Sequence, residues 1–223
     1  MKKLFSYDGK VMDLITKFGE LVMVGVAFLI CCIPIFTIGT SITSLYYSVI
    51  KSVRRERGNP LFEFFSSFKR TFLKGSILTL EIIFLGGIFV LGYRQTAMSG
   101  TSFDRYMKLL YAVMLVLLVF ISVYIFPVLS RFEIKLSNIW KIAFVMSIRY
   151  FYFTLLIVAV AVILGYVFIF ILPLPTVLFL PGVMTYLSTF IMEKVLLAYM
   201  PKPEEGSDAW YYEKSGKTGK EKE

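Results

Sequence analysis

The sequence predicts an all-α, polytopic transmembrane helical bundle, and three observations predict it. Hydrophobic residues make up 57% of the 223, with 22 Phe, while charged residues make up only 17%. Four long stretches are free or nearly free of charge, and the 24 Lys and Arg lie mostly between them. A soluble domain of this length carries more charge and interrupts its apolar runs. The net charge of +9 therefore reads as loop charge facing a lipid bilayer with an anionic inner leaflet, and not as a nucleic-acid surface.

The runs follow in order. Met1-Lys2-Lys3 starts like a signal peptide, but the first compact apolar core begins only at Leu21 and no small-residue cleavage site follows. That run is expected to be retained. Ahead of it, Lys10, Asp13, Lys17 and Glu20 recur at three- and four-residue spacing, with Val11, Leu14, Ile15 and Phe18 on the other side. This is an amphipathic helix leading into the membrane. Leu21 to Ile50 is uncharged over 30 residues, about 45 Å as one helix, where about 20 residues cross the hydrocarbon. Pro34 and Gly39 interrupt it, so it is either one kinked span or two shorter arms meeting near Pro34–Ser41.

Gly75 to Tyr93, interrupted by Glu81, and Leu109 to Ser130 each fit one span. Tyr150 to Met192 is 43 residues, and Leu172-Pro173-Leu174-Pro175 should fold it into a tight helical hairpin. Pro181-Gly182 should loosen the final helix. The polar segment from Tyr93 to Tyr106 has the bracketing tyrosines of an interfacial belt. Residues 1–200 thus form a single transmembrane domain, and 201–223 a disordered cytoplasmic tail rich in Lys, Glu, Gly and Ser.

Charge counting separates the two readings of the first run. One kinked span leaves 17 Lys and Arg on one side and 7 on the other, whereas two arms give 21 against 3. The positive-inside rule favours the sharper split. Six membrane segments are expected, with N- and C-termini in the cytoplasm and the protein multi-pass in the cell membrane; five remain if the first two are one broken span.

Two places could carry function inside the membrane. Glu81 is the ionisable residue well inside a span, where a charge costs about 2.5–3.5 kcal/mol, so it should face the bundle or water, paired or protonated. Thr37, Gly39 and Ser41 sit at the break in the first run, where freed backbone groups bind ions or substrates or small polar residues pack helices. A third candidate is at the inner interface. Gly58 ends a helix, Asn59 caps the next and Pro60 fits its first turn. Leu61, Phe65, Phe68 and Phe72 then share one face, while Lys69, Arg70 and Lys74 point elsewhere. That is an amphipathic helix for partner docking or interfacial anchoring. Arg131 to Arg149 has a similar rhythm, which leaves a parallel internal repeat open.

No enzyme is expected. Histidine is absent, removing the commonest general base and metal ligand. Cys31 and Cys32 are adjacent within an apolar run and make neither a staple nor a zinc site. No P-loop, G-x-S-x-G or H-E-x-x-H occurs, so no catalytic residue, cofactor or metal is assigned.

The segment Pro34-Ile35-Phe36-Thr37-Ile38-Gly39-Thr40-Ser41-Ile42-Thr43-Ser44-Leu45-Tyr46-Tyr47, the basic stretch Lys51 to Gly58 and the Phe-rich helix from Phe64 to Phe72 resemble the YesL-like family of bacterial integral membrane proteins, which carry a domain of unknown function. The resemblance is good over roughly residues 1–75 and mainly one of hydropathy to about residue 200. It implies a Gram-positive source and an accessory or regulatory role beside carbohydrate ABC-transport components, and it supplies no catalytic or binding residues. The expected partners are therefore the bilayer, sugar ABC-transporter components and a second copy of the chain. The alternative is a small transporter or channel with its path near Glu81 and the Pro34–Ser44 break.

Overall fold

The computed structural model describes residues 10–98, 102–132, 134–170 and 176–197. The expected tail at 201–223, the hairpin turn at 172–175 and part of the 93–106 segment lie outside these residues. The described chain is helical throughout: α1 (Lys10–Cys31), α2 (Ile38–Ser48), α3 (Pro60–Met98), α4 (Ser102–Arg131), α5 (Leu136–Arg149), α6 (Phe151–Phe170) and α7 (Thr176–Leu197).

The first apolar run breaks where its composition says it should. α1 stops at Cys31, Pro34 stands extended, and a single 3-10 turn (Ile35–Thr37) leads into α2. The Thr37 hydroxyl donates to the carbonyls of Cys31 and Pro34, at 2.6 Å each, which satisfies backbone oxygens that the break sets free. α2 then runs into a π-helical turn, Val49–Arg54. Lys17 on α1 meets Glu56 beyond that turn at 2.6 Å. The start of α1 and the end of α2 therefore lie together, and the run folds as an antiparallel hairpin with its tip at residues 32–37. One straight or gently kinked helix would hold Lys17 and Glu56 far apart.

Two helices, Pro60–Thr96 within α3 and Phe103–Arg131 within α4, are long and apolar enough to cross a membrane. α5 and the start of α6 reach that standard only as a pair, bent by 92° at Tyr150. Apolar helices of this length are those of a membrane protein.

α3 differs from the sequence expectation. The amphipathic helix at Pro60–Lys74 and the span from Gly75 are one continuous helix of 39 residues. At 1.5 Å per residue that is about 58 Å, far more than hydrocarbon thickness. Asn59 does cap it, accepting the Leu61 N–H at 3.0 Å, and Gly58 takes a positive φ of 82° ahead of the cap. Gly75 stands where the expected span begins, yet a single Gly costs a helix only about 1 kcal/mol, and here it is a contact surface. A Cβ at Gly75 would stand 2.9 Å from the Thr40 Cα, so the residue permits α2 and α3 to touch backbone to backbone. The internal repeat fails at the same point, because α3 runs straight on whereas α5 bends sharply into α6.

The interior is built from small polar residues. Gly39, Thr40, Ser41, Thr43, Ser44 and Ser48 of α2 are all buried. Gly39 and Thr40 meet Gly75, Ser76 and Thr79 on α3, and Ser67 and Thr71 of α3 are buried as well. Small residues bring helix backbones close where lipid offers no hydrophobic drive for association. Two of the hydroxyls bond back to their own helix, Thr43 to the Gly39 carbonyl and Ser44 to that of Thr40, while Thr40 and Ser48 reach the Phe72 and Pro60 carbonyls of α3. Apolar packing fills the rest, around Tyr46, Ile50, Leu78, Tyr124 and Met192 in one cluster and around Leu21, Val24, Val49 and Phe64 in another. Large apolar side chains such as Phe84, Leu91, Leu109 and Ile163 point outward.

Candidate functional site

One end of the bundle concentrates the buried charge. Glu193, near the end of α7, is only 3% exposed. Arg54, Arg55 and Arg131 converge on it: Arg54 Nη1 lies 2.8 Å from Oε2, while Arg55 Nη2 and Arg131 Nη2 lie 3.2 and 3.4 Å from Oε1. Arg54 also donates to the Thr189 carbonyl at 2.9 Å and stacks its guanidinium over the Phe190 ring, 4.5 Å from the centroid. Three elements thus meet on one carboxylate: the π-helical turn, the end of α4 and the end of α7. Guanidinium suits this role because its planar fork serves several acceptors at once.

The π-helical turn places two of these arginines. Arg55 N–H reaches the Ile50 carbonyl five residues back, and such turns gather at functional sites. Beside it, the start of α3 is tied in by Lys51 to Glu63 at 2.8 Å and by the Ser48 hydroxyl to the Pro60 carbonyl at 2.6 Å. Burial acts to lower the Lys51 pKa. The hydrogen bond and charge of Glu63, together with Tyr47, outweigh it and hold the ammonium above its ordinary value. With Lys17 and Glu56 at the same end, Lys17, Lys51, Arg54, Arg55 and Arg131 gather there among the described residues.

A glutamate that closes the last apolar run reads in sequence as ordinary boundary chemistry. In the structure Glu193 is the buried centre of the cluster. The signal available in sequence was weak. Arg54, Arg55, Arg131 and Glu193 each stand at the end of an apolar run, but nothing in the spacing says that these ends converge.

The residues picked out by sequence have other surroundings. Glu81 is half-buried on α3 and accepts a hydrogen bond from the Trp140 indole at 2.8 Å, which fixes α5 against α3. Thr37 is consumed by the helix break, as above. The Gly39 N–H donates to Thr79 Oγ1 at 3.0 Å, and a Cβ on Gly39 would run into Thr79 and the Phe126 ring. Ser41 is fully buried with the Cys32 thiol beside it. Thr79 and Glu81 are two residues apart, about 200° around the helix. The break and the carboxylate therefore lie on opposite sides of α3.

On the first turns of α3 the Phe face is divided between packing and exposure. Phe64 is fully buried, Phe68 half-buried, and Phe65 and Phe72 are exposed. Phe64 stacks on Phe68, Phe68 meets Phe72 at a tilt of 59°, and Phe72 meets Phe36 edge-on at 6.5 Å. Lys69 and Arg70 are exposed alongside Phe62, Phe65 and Leu73, and Arg70 lies over the Tyr47 ring at 5.0 Å. Among the described residues no group of His, Cys, Asp and Glu could hold a metal ion.

The class these features define is a helical membrane protein, braced at its basic end by buried ion pairs. Residues 21–93, from within α1 to late in α3, match a family described as a protein of unknown function, DUF624. The match spans about a third of the chain, and the description assigns no activity. No curated protein and no solved structure matches the chain.

Proposed function

We propose that the chain is a non-enzymatic, YesL-like accessory or regulatory subunit of a carbohydrate ABC uptake system in the cell membrane of a Gram-positive bacterium. α1, α2, α3, α4, α6 and α7 would be its six membrane segments, with the basic end and both termini in the cytoplasm. The observation that carries this reading is the first four turns of α3. They extend the helix beyond membrane thickness and expose Phe62, Phe65 and Leu73 beside Lys69 and Arg70. An apolar stripe among cations suits either headgroups or a partner, and its rigid continuity with a span suits coupling. The resemblance supplies the partner class, and a second copy of the chain is the other candidate.

Affinity purification from native membranes, at native expression and in mild detergent, tests this. Co-purification of ABC-transporter subunits is expected, and their loss with Phe65→Asp/Arg70→Glu. Recovery of the chain alone would remove the proposal.

The hydrogen-bonded Glu81 motivates a second reading as a small transporter or channel. Proteoliposome flux decides it: flux that survives Glu81→Gln takes the carboxylate out of the path. The burial of Thr37, Gly39 and Ser41 in packing contacts, on the far side of α3, weighs against it.

A further inference from the structure

A polar cleft of about 220 Å³ opens between the start of α1 and the π-helical turn. Thr16, Lys17 and Glu20 line it from α1, and Ser52, Glu56 and Gly58 from the turn and the residues after it. Its polar groups are not all satisfied from within the chain. Ser52 is 4% exposed, and its hydroxyl oxygen is buried with no hydrogen-bond partner. A buried hydroxyl left in that state carries an uncompensated desolvation cost, so at the wall of a cleft it marks a missing partner. Glu20 is half-buried, and among the described residues no hydrogen bond or ion pair reaches its carboxylate. The charges acting on it are those of Lys17, of opposite sign, and Glu56, of like sign. Arg54, Arg55 and Arg131 are turned to Glu193 instead.

Glu56 is held at this cleft against its backbone preference. It takes a left-handed φ of 56°, just where the Arg57 N–H reaches back to the Lys51 carbonyl at 3.0 Å and closes the turn. Glycine is the usual residue at such a terminus, because a side chain crowds the left-handed backbone. Glutamate here brings a second carboxylate to the cleft. Lys17 Nζ meets its Oε1 at 2.6 Å, and since a carboxylate accepts on both oxygens, Oε2 remains an acceptor. The lining side chains thus set two carboxylates against one ammonium, and they offer the Glu20 carboxylate, Glu56 Oε2 and Ser52 Oγ as acceptors.

From this juxtaposition we propose that the cleft binds a primary ammonium group. Such a group is a compact single charge with three donors and no acceptor. It matches the one carboxylate in excess and the three acceptors around it. An anion would face two carboxylates, and a neutral group would leave Glu20 and Glu56 repelling each other. A quaternary ammonium would bring the charge but no N–H for Ser52. The amine has two sources that present the same chemistry, the headgroup of an aminophospholipid and a free small amine. The inference is independent of the partner proposed above, and either can fail without the other.

Ligand-observed NMR tests this, with ethanolamine titrated into the full chain in lipid-free detergent. Binding is expected at about 1 mM, within the ceiling for so small a ligand. Choline, which keeps the charge and loses the N–H donors, should bind about tenfold more weakly, the equivalent of one charge-assisted hydrogen bond. Glu20→Gln should weaken ethanolamine binding about tenfold and Ser52→Ala about threefold. Asp104→Asn, at the start of α4, should leave it unchanged. If Glu20→Gln does not fold, the choline comparison and Ser52→Ala still decide. Phosphatidylethanolamine that displaces ethanolamine assigns the site to a headgroup, whereas displacement by putrescine and not by the lipid assigns it to a free amine. Absence of binding overturns the proposal, as do equal affinities for ethanolamine and choline or undiminished binding in both variants. Displacement by potassium or magnesium as effective as by putrescine overturns it too, and would assign the cleft to a metal ion.

Discussion

Glu193 shows how much a single residue can hold when it is buried. Removing one member of a buried ion pair strands the other charges, and typically costs about 3–5 kcal/mol. Three guanidinium groups pair with this carboxylate, so Glu193→Gln should lower the unfolding free energy in detergent by an amount in that range. Lys17 and Glu56 form an equally short contact, but their side chains are 36% and 57% exposed. Lys17→Ala should therefore cost about 0.5 kcal/mol or less, as exposed pairs do. Similar losses in the two variants would show that the cluster at Glu193 is wetter than its burial indicates. The sequence does not announce this difference. Both glutamates stand near basic residues at the edge of an apolar run, and Glu193 lies 62 positions from Arg131 and 138 from Arg55.

At the scale of elements, the apolar runs located most of the helices, but which residues pack between them was not legible. The Phe stripe of α3 has the spacing of a buried face, and an amphipathic pattern in water would bury it. Beside lipid the logic changes, because the hydrocarbon accepts Phe as readily as a core does. What then distinguishes the inner face is smallness and hydrogen bonding, carried here by Gly75, Ser76 and Thr79 against Gly39 and Thr40 of α2. Glycine substitutions separate the two faces. Gly39→Ala pushes a methyl into Thr79 and Phe126 and should destabilise by about 1–3 kcal/mol, the usual cost of overpacking. At Gly87, within the same α3, a Cβ meets nothing within 4 Å, so Gly87→Ala should be neutral or stabilise by about 0.5–1 kcal/mol. Thermal unfolding in one detergent measures both, and a destabilising Gly87→Ala would count against the outward placement of that face.

Across the whole molecule, the feature most legible in the sequence was the distribution of charge. Counting Lys and Arg favoured two arms in the first apolar run, with 21 cations on one side and 3 on the other. The contact between Lys17 and Glu56 reaches the same hairpin from geometry, with no reference to a membrane. What the count could not supply was the pairing of distant ends, since a rule about loops is silent on which loops touch. Arg131 and Glu193 join the same end as Arg54, so the ends of α2, α4 and α7 and the start of α3 share one side of the bundle. Two independent routes to one arrangement make it worth testing directly. In a background with Cys31→Ser and Cys32→Ser, single cysteines at Lys10, Ser66, Ser99 and Ser215 should respond differently to a membrane-impermeant thiol reagent added to intact cells. Only Ser99→Cys is expected to label, because it alone belongs to the segment opposite the basic end in the six-segment arrangement. Labelling of Lys10→Cys from outside would put the first helix across the membrane alone and restore five spans. It would also require α1 and the π-helical turn to face opposite compartments. The Lys17–Glu56 contact forbids that, so this one substitution tests the fold and the topology together.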